Sequence, residues 1–546
     1  MVDVDLILKR FEKVKDKRVN FDSYWQETCE YFLPHKAYIN RISSVGERTK
    51  EDLFDTTGRT ALRYFAAGMF SSLTPATSKW FNYQINNETV KADKESQVWL
   101  ATATQKTVDI MNQSNWSMQI MDAYRNFGLV GLASMFVEPD PLTKVRFRSS
   151  PIREIYICED ARGRVNARYR PFKLTVSQAY SEWGDAAGKS VVDKFNGGAT
   201  EDTLEFLHVI EPRYNRVAGS MAAKDKKYAS IYINIADKTI ISEGGYDYFP
   251  CPTARLDKSD DSPYGYGTAM QSLPDMKELN KFHYIVVRGG IKQIDPVMFT
   301  NDNGIMLPKK VSAGALIKGS GPQSDLRAIQ TGGRHDIGKD LLEMKQKDIK
   351  EQFFVNLFLA LANRLETKTA YEASKIIEEN KAMIAPLIMP VTSELLDPIM
   401  ETVFTILLEA GEYGPIPEAI RQSATVDPLS GETMLTLGVE YTSSLARAQK
   451  MEEIGEITDL LGFVGQIAAV KPDALDKVDT DKAIDEFARL RSVNPELITD
   501  TEDANKVRQL RAQAVAQQQA LMAGQAQADI NATQAGAERN VRESKA

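Results

Sequence analysis

SLPDMKELNKFHYIVVRGGIKQ, residues 272–293, is the stretch that decides the fold, because it opens an order of elements with few structural parallels. Ser272 stands where an N-cap is expected. Pro274 and Asp275 suit the first turn of a helix, where a missing N–H is tolerated and negative charge is favoured. Apolar residues follow at helical spacing, at Leu279, Phe282 and Val286. The stretch therefore predicts a helix that spans roughly 33 Å.

The next segment, residues 297–335, has a different texture. Short apolar runs are broken by Asn303-Gly304, by Pro308 and by GSGP at 319–322, which is typical of strands joined by turns. Its five basic residues outnumber its two acidic residues. A second helix is predicted over about 338–363, with a charged first part and an apolar remainder, so that one end faces water and the other is packed.

A short polar loop, residues 364–369, interrupts the apolar pattern after this second helix. Thr369 can cap a third helix, with Glu372 as its capping-box partner. That helix is predicted from about Ala370 to Ala410. It contains interior prolines, which remove backbone hydrogen bonds and bend the axis, so we expect a kink near Pro386, Pro390 and Pro398.

The remainder of the chain predicts an α+β protein. Residues 4–32 carry helical stripes, residues 81–85 alternate as a strand, and residues 96–128 are predicted to be helical. From about 129 to 260 the apolar period changes to two, with one helix near 175–186. A return strand, Gly438–Thr442, is expected to rejoin this part, and two further segments follow: 446–500, predicted to be helical, and 504–546, an Ala- and Gln-rich weak helix.

Bulk composition narrows the class of protein. The 546 residues suffice for two or more domains, and 43% hydrophobic with 26% charged residues is typical of a soluble globular protein. The apolar runs are too short to span a bilayer, and the charged N-terminus does not fit a secretory signal. Three cysteines argue against a disulfide framework and for a reducing cytoplasm. The net charge of −8 disfavours a protein that binds nucleic acid tightly.

The sequence lacks the usual catalytic signatures. It contains no GxxxxGK[ST], HExxH, CxxC or GxSxG pattern, so the motifs for nucleotide hydrolysis, zinc proteolysis and serine hydrolysis are missing. The four histidines are scattered, and the acidic run at 257–261 is better explained as a solvated turn than as a cation site. We expect no cofactor, no metal and no enzymatic activity.

Six stretches, in this order along about 400 residues, give the chain a family resemblance: DLFDTTGRTALRYFAAGMFSSLTPATSKWFNY (52–83), FGLVGLASMFVEPD (127–140), PIREIYICEDARGRV (151–165), SPYGYGTAMQSLPDMKELN (262–280), TKTAYEASK (367–375) and VEYTSSLARAQK (439–450). The chain resembles the portal, or head-to-tail connector, of short-tailed bacteriophages. None of the stretches is a catalytic signature. They indicate the family because all six occur together, in this order.

The resemblance implies a ring, commonly of twelve subunits, at one capsid vertex of the virion, assembled in the host cytoplasm. The implied division is a wing (1–271), stem helices (272–296 and 336–363), a clip (297–335), a tunnel loop (364–369), a kinked wing helix with the return strand (370–445), a crown (446–503) and a C-terminal barrel or tail (504–546). It also implies contacts with the large terminase subunit, the head-to-tail adaptor, the major capsid protein and, transiently, double-stranded DNA, but with no membrane.

Two groups of cations have both a functional and a simpler explanation. Lys309, Lys310 and Lys318 either keep a strand-rich segment soluble or, as the resemblance implies, contact the terminase and the adaptor at the clip. Arg364 and Lys368 are either solvated loop charges or face DNA in the tunnel, where weak contacts suit a sliding polymer. Two other function classes stay open at this point. One is a phage-encoded hydrolase or nuclease with an unrecognised site, and the other is a filament or scaffold protein that uses its Ala/Gln helix as a coiled coil.

Overall fold

The structure is a computed structural model. It describes residues 3–41, 52–76, 78–217, 222–296, 298–301, 313, 315–319, 327–328, 335–362, 384–426, 433–434, 437–442, 444–468, 471, 477–491, 493, 497–499 and 501–543. Two units are distinguished by their internal contacts. The first comprises residues 1–86 and 102–448, and the second comprises residues 87–101 and 449–546. Helices and sheets are both present, as the predicted α+β class requires.

The first unit begins with long helices that pack around one another. The first helix is continuous through both apolar stripes of the N-terminal segment. The helix predicted over 96–128 is instead two helices, because Ser114 and Asn115 end one and begin the next, and the Ser114 hydroxyl donates to the Met111 carbonyl. The bounds are α1, Val4–Phe32; α2, Thr57–Leu73; α3, Glu88–Ala92 (in the second unit); α4, Lys94–Gln113 (which crosses from the second unit into the first); and α5, Trp116–Val130.

Alternating residues then build two antiparallel sheets, as the change of period to two predicts. One has the order β3-β2-β9 and the other the order β4-β5-β6-β7-β8. The strands are β2, Leu132–Asp140; β3, Lys144–Ser149; β4, Tyr156–Glu159; β5, Val165–Thr175; β6, Thr203–Pro212; β7, Tyr228–Asn234; β8, Thr239–Tyr246; and β9, Thr253–Arg255. Two helices lie between β5 and β6, namely α6, Val176–Trp183, and α7, Lys189–Asn196, where one was predicted.

The five-stranded sheet is covered on both faces. Leu207 and Val209 of β6 point toward α1 and pack with Phe11, whereas their neighbour Phe206 packs with Val176 of α6 on the opposite face. Successive side chains of a strand point to opposite faces, so one apolar strand can serve two cores. This arrangement explains why the central part of β6, residues 206–210, is buried.

The return strand joins distant parts of the chain. β1, Phe81–Ile85, pairs antiparallel with β15, Leu437–Tyr441, with Phe81 opposite Tyr441 and Ile85 opposite Leu437. The prediction that a strand near 438–442 rejoins the α+β part is therefore confirmed. Trp80, directly before β1, stacks on Trp116 at 6.0 Å between ring centroids and on Tyr441 at 6.2 Å, which fixes the two ends together.

Two antiparallel helices and a small sheet follow the five-stranded sheet along the chain. After the short α8, Thr268–Gln271, come α9, Leu273–Ile294, and α10, His335–Gln352, which together are called the stalk below. Between them lie β10, Met298–Asn301, β11, Leu316–Gly319, and β12, Arg327–Ala328, in the sheet order β11-β10-β12. Strands were predicted for this segment. Ser272 is the N-cap residue of α9, as expected, but its hydroxyl donates to the Thr268 carbonyl and makes no capping bond to the first turn of α9.

The second helix of the stalk is shorter than predicted. The continuous helix over 338–363 is wrong, since α10 ends at Gln352 and α11, Val355–Ala362, begins after a break. At the break Phe354 adopts a left-handed backbone conformation with φ of 55°. The change of direction lets Phe353 enter the core, where its ring lies 5.7 Å from Phe32 and 6.2 Å from Phe65.

The proline-bearing helix contains a π turn. Residues 384–391 form a helix, called α12, which continues through the π turn Thr392–Leu396 into α13, Asp397–Glu409. Pro398 has no N–H to donate to the carbonyl four residues earlier. The Asp397 N–H bonds to the Thr392 carbonyl, five residues back, so the helix widens instead of ending. The predicted start at Ala370 lies outside the described residues.

The rest of the first unit is short. After α13 come α14, Glu418–Gln422, and the paired strands β13, Thr425–Val426, and β14, Thr433–Met434. The second unit is helical, with α15, Ser444–Ala468, which begins in the first unit, α16, Thr480–Arg491, and α17, Thr501–Glu543. The Arg508 guanidinium of α17 donates to the Asp481 carboxylate of α16 at 2.5 and 2.6 Å. The Ala/Gln-rich segment is thus helical to Glu543.

Candidate functional site

The stalk is held together by contacts along its whole length. A Cβ atom built on Gly338 of α10 would lie 3.0 Å from Cγ2 of Val286 of α9, so the two helices approach closely at this level. Farther along, the Lys345 ammonium lies 3.1 Å from the Asp275 carboxylate and 2.8 Å from that of Glu278. These contacts define the sides of α9 and α10 that face each other.

Hydrogen bonding and charge pairing shift the pKa values of Asp275 and Lys345 in the stalk. The hydrogen bond from Gln352 and the pairing with Lys345 lower the pKa of Asp275 below its ordinary value, against a smaller effect of burial. The bonds to Glu278 and Asp275 raise the pKa of Lys345. Asp275 and Lys345 are therefore both charged at neutral pH. Since Glu278 is nearly half exposed, solvent screens much of its attraction for Lys345.

A buried carboxylate joins the stalk to the start of α2. Asp55 accepts hydrogen bonds from the Thr57 N–H at 2.7 Å and from the Gln346 amide at 2.8 Å, and it lies 3.1 Å from Nδ1 of His283. Burial raises the pKa of Asp55, but the hydrogen bonds from Thr57, Gln346 and His283 together outweigh it and lower the pKa. The carboxylate therefore ties both stalk helices to one loop.

An amide completes this joint. Oδ1 of Asn280 accepts from the Phe54 N–H at 2.7 Å, and its Nδ2 donates to the Asp52 carbonyl at 2.8 Å. Asn280 is buried, and both of its polar atoms are used. The Asn280 side chain thus holds the backbone of residues 52–54 through one accepted and one donated hydrogen bond. Hydrogen bonds from both stalk helices thus fix the base of the stalk to the segment that precedes α2.

Beyond this base the stalk exposes apolar surface. Eight of its large apolar side chains are at least 40% exposed in the single chain: Tyr284, Ile285, Val287, Ile291, Ile294, Ile337, Leu341 and Met344. Exposed large apolar side chains that are concentrated on one element in this way mark an interaction site. Leu341, Ile349 and Phe353 lie at helical spacing in the sequence, yet Ile349 and Phe353 are buried and Leu341 is not.

A second anchor holds the π turn against the β3-β2-β9 sheet. The backbone N–H of Arg255 and its Nε both donate to Glu394 of the π turn, at 3.0 and 3.1 Å, and its Nη2 donates to the other oxygen of Glu394 at 2.5 Å. Arg255 also pairs with Glu159, which pairs with Lys258. Burial would lower the pKa of Arg255, but the bonds to Glu394 and Glu159 raise it. No sequence pattern indicated this contact.

Metal sites and membrane-spanning helices are absent from the described part of the chain. It contains no group of three or more His, Cys, Asp or Glu side chains placed to hold a metal ion. Nor does any described helix combine the length and apolar character needed to cross a bilayer. Cys29, Cys158 and Cys251 are free thiols, and burial raises the pKa of Cys29 to about 12.

Comparison with known proteins gives this geometry a family. Residues 4–498 match the model of the family described as bacteriophage head to tail connecting protein. The chain belongs to this family. It is 30% identical to a "Probable portal protein" of Bordetella phage BPP-1, over 95% of this chain and 93% of the relative. It is 28% identical to a "Portal protein" of Salmonella phage epsilon15, over 96% and 93%.

The cations singled out in the sequence fall mostly outside the described part of this connector-family chain. Arg364 and Lys368 lie outside it, as do Lys309 and Lys310. Lys318 lies on β11, at the register position opposite Thr300 of β10. The structure thus shows a sheet where Lys318 was placed, and the roles of all five residues stay predictions. Sequence reasoning missed the exposed stalk surface, although the 3- and 4-residue spacing of Tyr284, Val287, Ile291 and Ile294 carried the signal.

Proposed function

We propose that this chain forms a closed ring at one vertex of a phage capsid. Double-stranded DNA would pass through the channel of the ring during packaging and again during ejection. Membership of the head to tail connecting family and the two relatives named as portal proteins support this function. The protein would be a structural component of the virion, and the comparisons do not favour the hydrolase or nuclease alternative.

The observation that carries the proposal is the stalk with its sheet. Two antiparallel helices leave the α+β part of the first unit, and their far ends are joined through the segment that contains β10, β11 and β12. The base is fixed by Asp55 and Asn280, so the stalk cannot fold back onto this unit without breaking buried hydrogen bonds. Copies of such a projection, arranged around an axis, enclose a channel.

The proposed division follows from this arrangement. The stalk would be the stem, and the segment 297–335, with Lys309, Lys310 and Lys318, would be the clip that contacts the large terminase subunit and later the head-to-tail adaptor. Residues 364–369 would form a loop toward the channel, where Arg364 and Lys368 would meet DNA. Residues 1–271 and 370–445 would form the wing, 446–503 the crown, and 504–546 a helical barrel or tail.

Assembly into a ring separates this proposal from the other two function classes. Native mass spectrometry and negative-stain electron microscopy of the purified full-length chain at micromolar concentration should show one closed oligomer, with twelve subunits expected. A head-to-tail interface that closes gives cyclic symmetry. A monomer or small oligomer without rings would contradict the proposal and favour an enzyme, whereas open fibres would favour a scaffold.

The clip assignment needs its own experiment. Replacing Lys309, Lys310 and Lys318 by Glu should leave ring formation unchanged and weaken binding of the rings to the phage's large terminase subunit, measured by co-sedimentation. Lys9 and Lys13 of α1 are exposed, and replacing both by Glu gives a control for charge reversal away from the clip. Equal terminase binding by the wild type, the clip variant and the Lys9→Glu/Lys13→Glu control would refute the clip assignment.

A further inference from the structure

The exposed apolar residues of the stalk divide between its two sides. Val286 of α9 and Gly338 of α10 face each other. Lys345 of α10 also faces α9, where it pairs with Asp275. Successive residues of a helix are separated by about 100° of rotation. A residue directly before or after a facing residue therefore lies on a flank of the hairpin, and not toward the partner helix.

Helix direction decides which flank. When two facing helices are antiparallel, the residues just before their facing positions lie on the same side of the hairpin, and the residues just after lie on the other side. Ile285 precedes Val286, Ile337 precedes Gly338 and Met344 precedes Lys345. Leu341 lies four residues after Ile337 and three before Met344, so it lies on the same side of α10. Together these four residues form side one of the stalk.

The opposite flank is equally apolar. Val287 follows Val286, and helical spacing of three or four residues adds Tyr284, Ile291 and Ile294 to the same flank. These four form side two. Their exposed fractions run from 40% for Tyr284 to 87% for Ile294, against 40% to 52% for the members of side one. Neither side is covered by any described residue to an extent that would hide it from water.

We infer that side one of the stalk packs against side two of the stalk of a second copy of this chain. Two different apolar surfaces on opposite sides of one projection suit a head-to-tail contact, in which each copy uses one side for each neighbour. A two-fold dimer would need only one self-complementary surface and would leave the other exposed. The inference rests on the proposed ring and adds the residues that form its contacts in the stalk.

Charged substitutions on each side test the inference. The side-two variant is Val287→Asp/Ile291→Asp, the side-one variant is Leu341→Asp/Met344→Asp, and Lys347→Asp is the control. Lys347 lies two residues after Lys345, on the outer edge of the hairpin, and it is 71% exposed. Burying a carboxylate in an apolar contact is costly, so each side variant should raise the concentration of half-maximal ring formation about tenfold or more. The control should match the wild type.

Mixing gives the decisive readout. At a concentration where each side variant alone is monomeric, an equimolar mixture should form a complex of one chain of each kind in native mass spectrometry. The intact side one of one variant can bind the intact side two of the other. A chain that carries all four substitutions should form no complex with either variant. Circular dichroism melting curves of the monomeric variants should coincide, because every substituted side chain is exposed.

The outcomes separate this inference from the proposed function. Rings from the wild type together with normal rings from both side variants would overturn the stalk contact and leave the portal function standing. Complexes of a variant with itself, but not with the other, would overturn the head-to-tail arrangement. Absence of rings from the wild type would instead refute the proposed function.

Discussion

Single residues hold this fold together by satisfying buried backbone groups, and Arg18 is the clearest case. Its side chain is 1% exposed. The guanidinium donates to the carbonyls of Ile155 at 2.7 Å, Arg153 at 3.1 Å and Ile152 at 3.3 Å, and it lies 3.4 Å from the ring centroid of Tyr156. One side chain of α1 thus ties down the whole turn that precedes β4.

Replacing Arg18 by Ala should destabilise the first unit strongly. The change removes the donor to the carbonyls of Ile155 and Arg153 and the ion-pair partner of Asp22, whereas the Ile152 carbonyl keeps its bond from the Ile155 N–H. We expect a cost of about 3 kcal/mol or more in the free energy of unfolding. Lys15→Ala is the matched control, since Lys15 is 51% exposed and pairs only with Glu12 of the same helix. Chemical denaturation followed by circular dichroism measures both. Equal midpoints for the two variants would contradict the role given to Arg18.

Asp55 makes the joint of the stalk sensitive to acid. Because its pKa is lowered in the folded chain, the unfolded chain takes up the proton first as pH falls. Its stabilising effect is therefore complete above the unfolded value of about 4 and is lost as pH falls through the lower folded value. Asp55→Asn should lower the melting temperature at pH 7, and the difference from the wild type should shrink below about pH 4. A difference that stays constant from pH 7 to pH 3 would show that ionised Asp55 contributes nothing.

At the scale of elements, the π turn shows how a helix accommodates proline. The turn lies between α12 and α13, and Glu394 within it is bound by the buried guanidinium of Arg255. Pro398 removes one backbone bond, and the extra residue in the turn supplies another. The position of the helix is thus fixed by an ion pair to β9 in addition to apolar packing.

Loss of the Glu394 carboxylate should loosen this helix. Glu394→Ala would leave Arg255 with the Glu159 carboxylate and the Gly163 carbonyl, and it should cost about 2 kcal/mol or more, because a buried charge loses one of its two carboxylate partners. Ser393→Ala, in the same turn, is the control, since the Ser393 side chain is exposed and bonds only to the Met389 carbonyl. Hydrogen exchange of the amides in α13 should speed up in the first variant only. Unchanged exchange would assign the helix position to packing.

We expect assembly not to require the C-terminal helix. α17 exposes Val507, Leu510, Val515, Leu521, Met522 and Ile530, which are too few and too dispersed to drive a ring by themselves. Deleting residues 504–546 should therefore leave the ring intact in native mass spectrometry. Loss of rings in this truncation would move the main subunit contact from the stalk to the C-terminus.

For the whole molecule, charge decides how DNA would pass. Twelve copies with a net charge of −8 each would carry about −96, so the assembly as a whole would repel phosphate. A narrow band of cations can steady DNA without holding it, since each contact is screened within about 8 Å at physiological salt. Arg364 and Lys368, repeated around the ring, would form this band in the proposed arrangement.

Removing the band should change packaging and not assembly. Arg364→Ala/Lys368→Ala and the corresponding Glu variant should form normal rings, while packaging yield or DNA retention changes in a salt-dependent manner. The Lys9→Glu/Lys13→Glu chain again serves as a charge-matched control. Packaging that is the same as wild type across salt concentrations would leave Arg364 and Lys368 as solvated loop charges.

The sequence by itself determined the order of helices and strands, the return of β15 to β1, the strands between the stalk helices and the family. These features follow from local periodicity, turn residues and composition, which are properties of the sequence and do not depend on tertiary contacts. The breaks at Ser114 and at Phe354 were missed, because a helix ends there to place aromatic rings in a core that distant segments build.

Only the tertiary structure decided which apolar stripes are core and which are free. Leu341 and Ile349 belong to one helical stripe in sequence, yet Ile349 is buried and Leu341 is 40% exposed. Periodicity records that a face avoids water but not what covers it, since a face buried by its own chain and a face buried by a neighbour have the same pattern. The bonds between Asp55, His283 and Gln346, and between Arg255 and Glu394, were likewise invisible in sequence, because long-range polar contacts leave no local period.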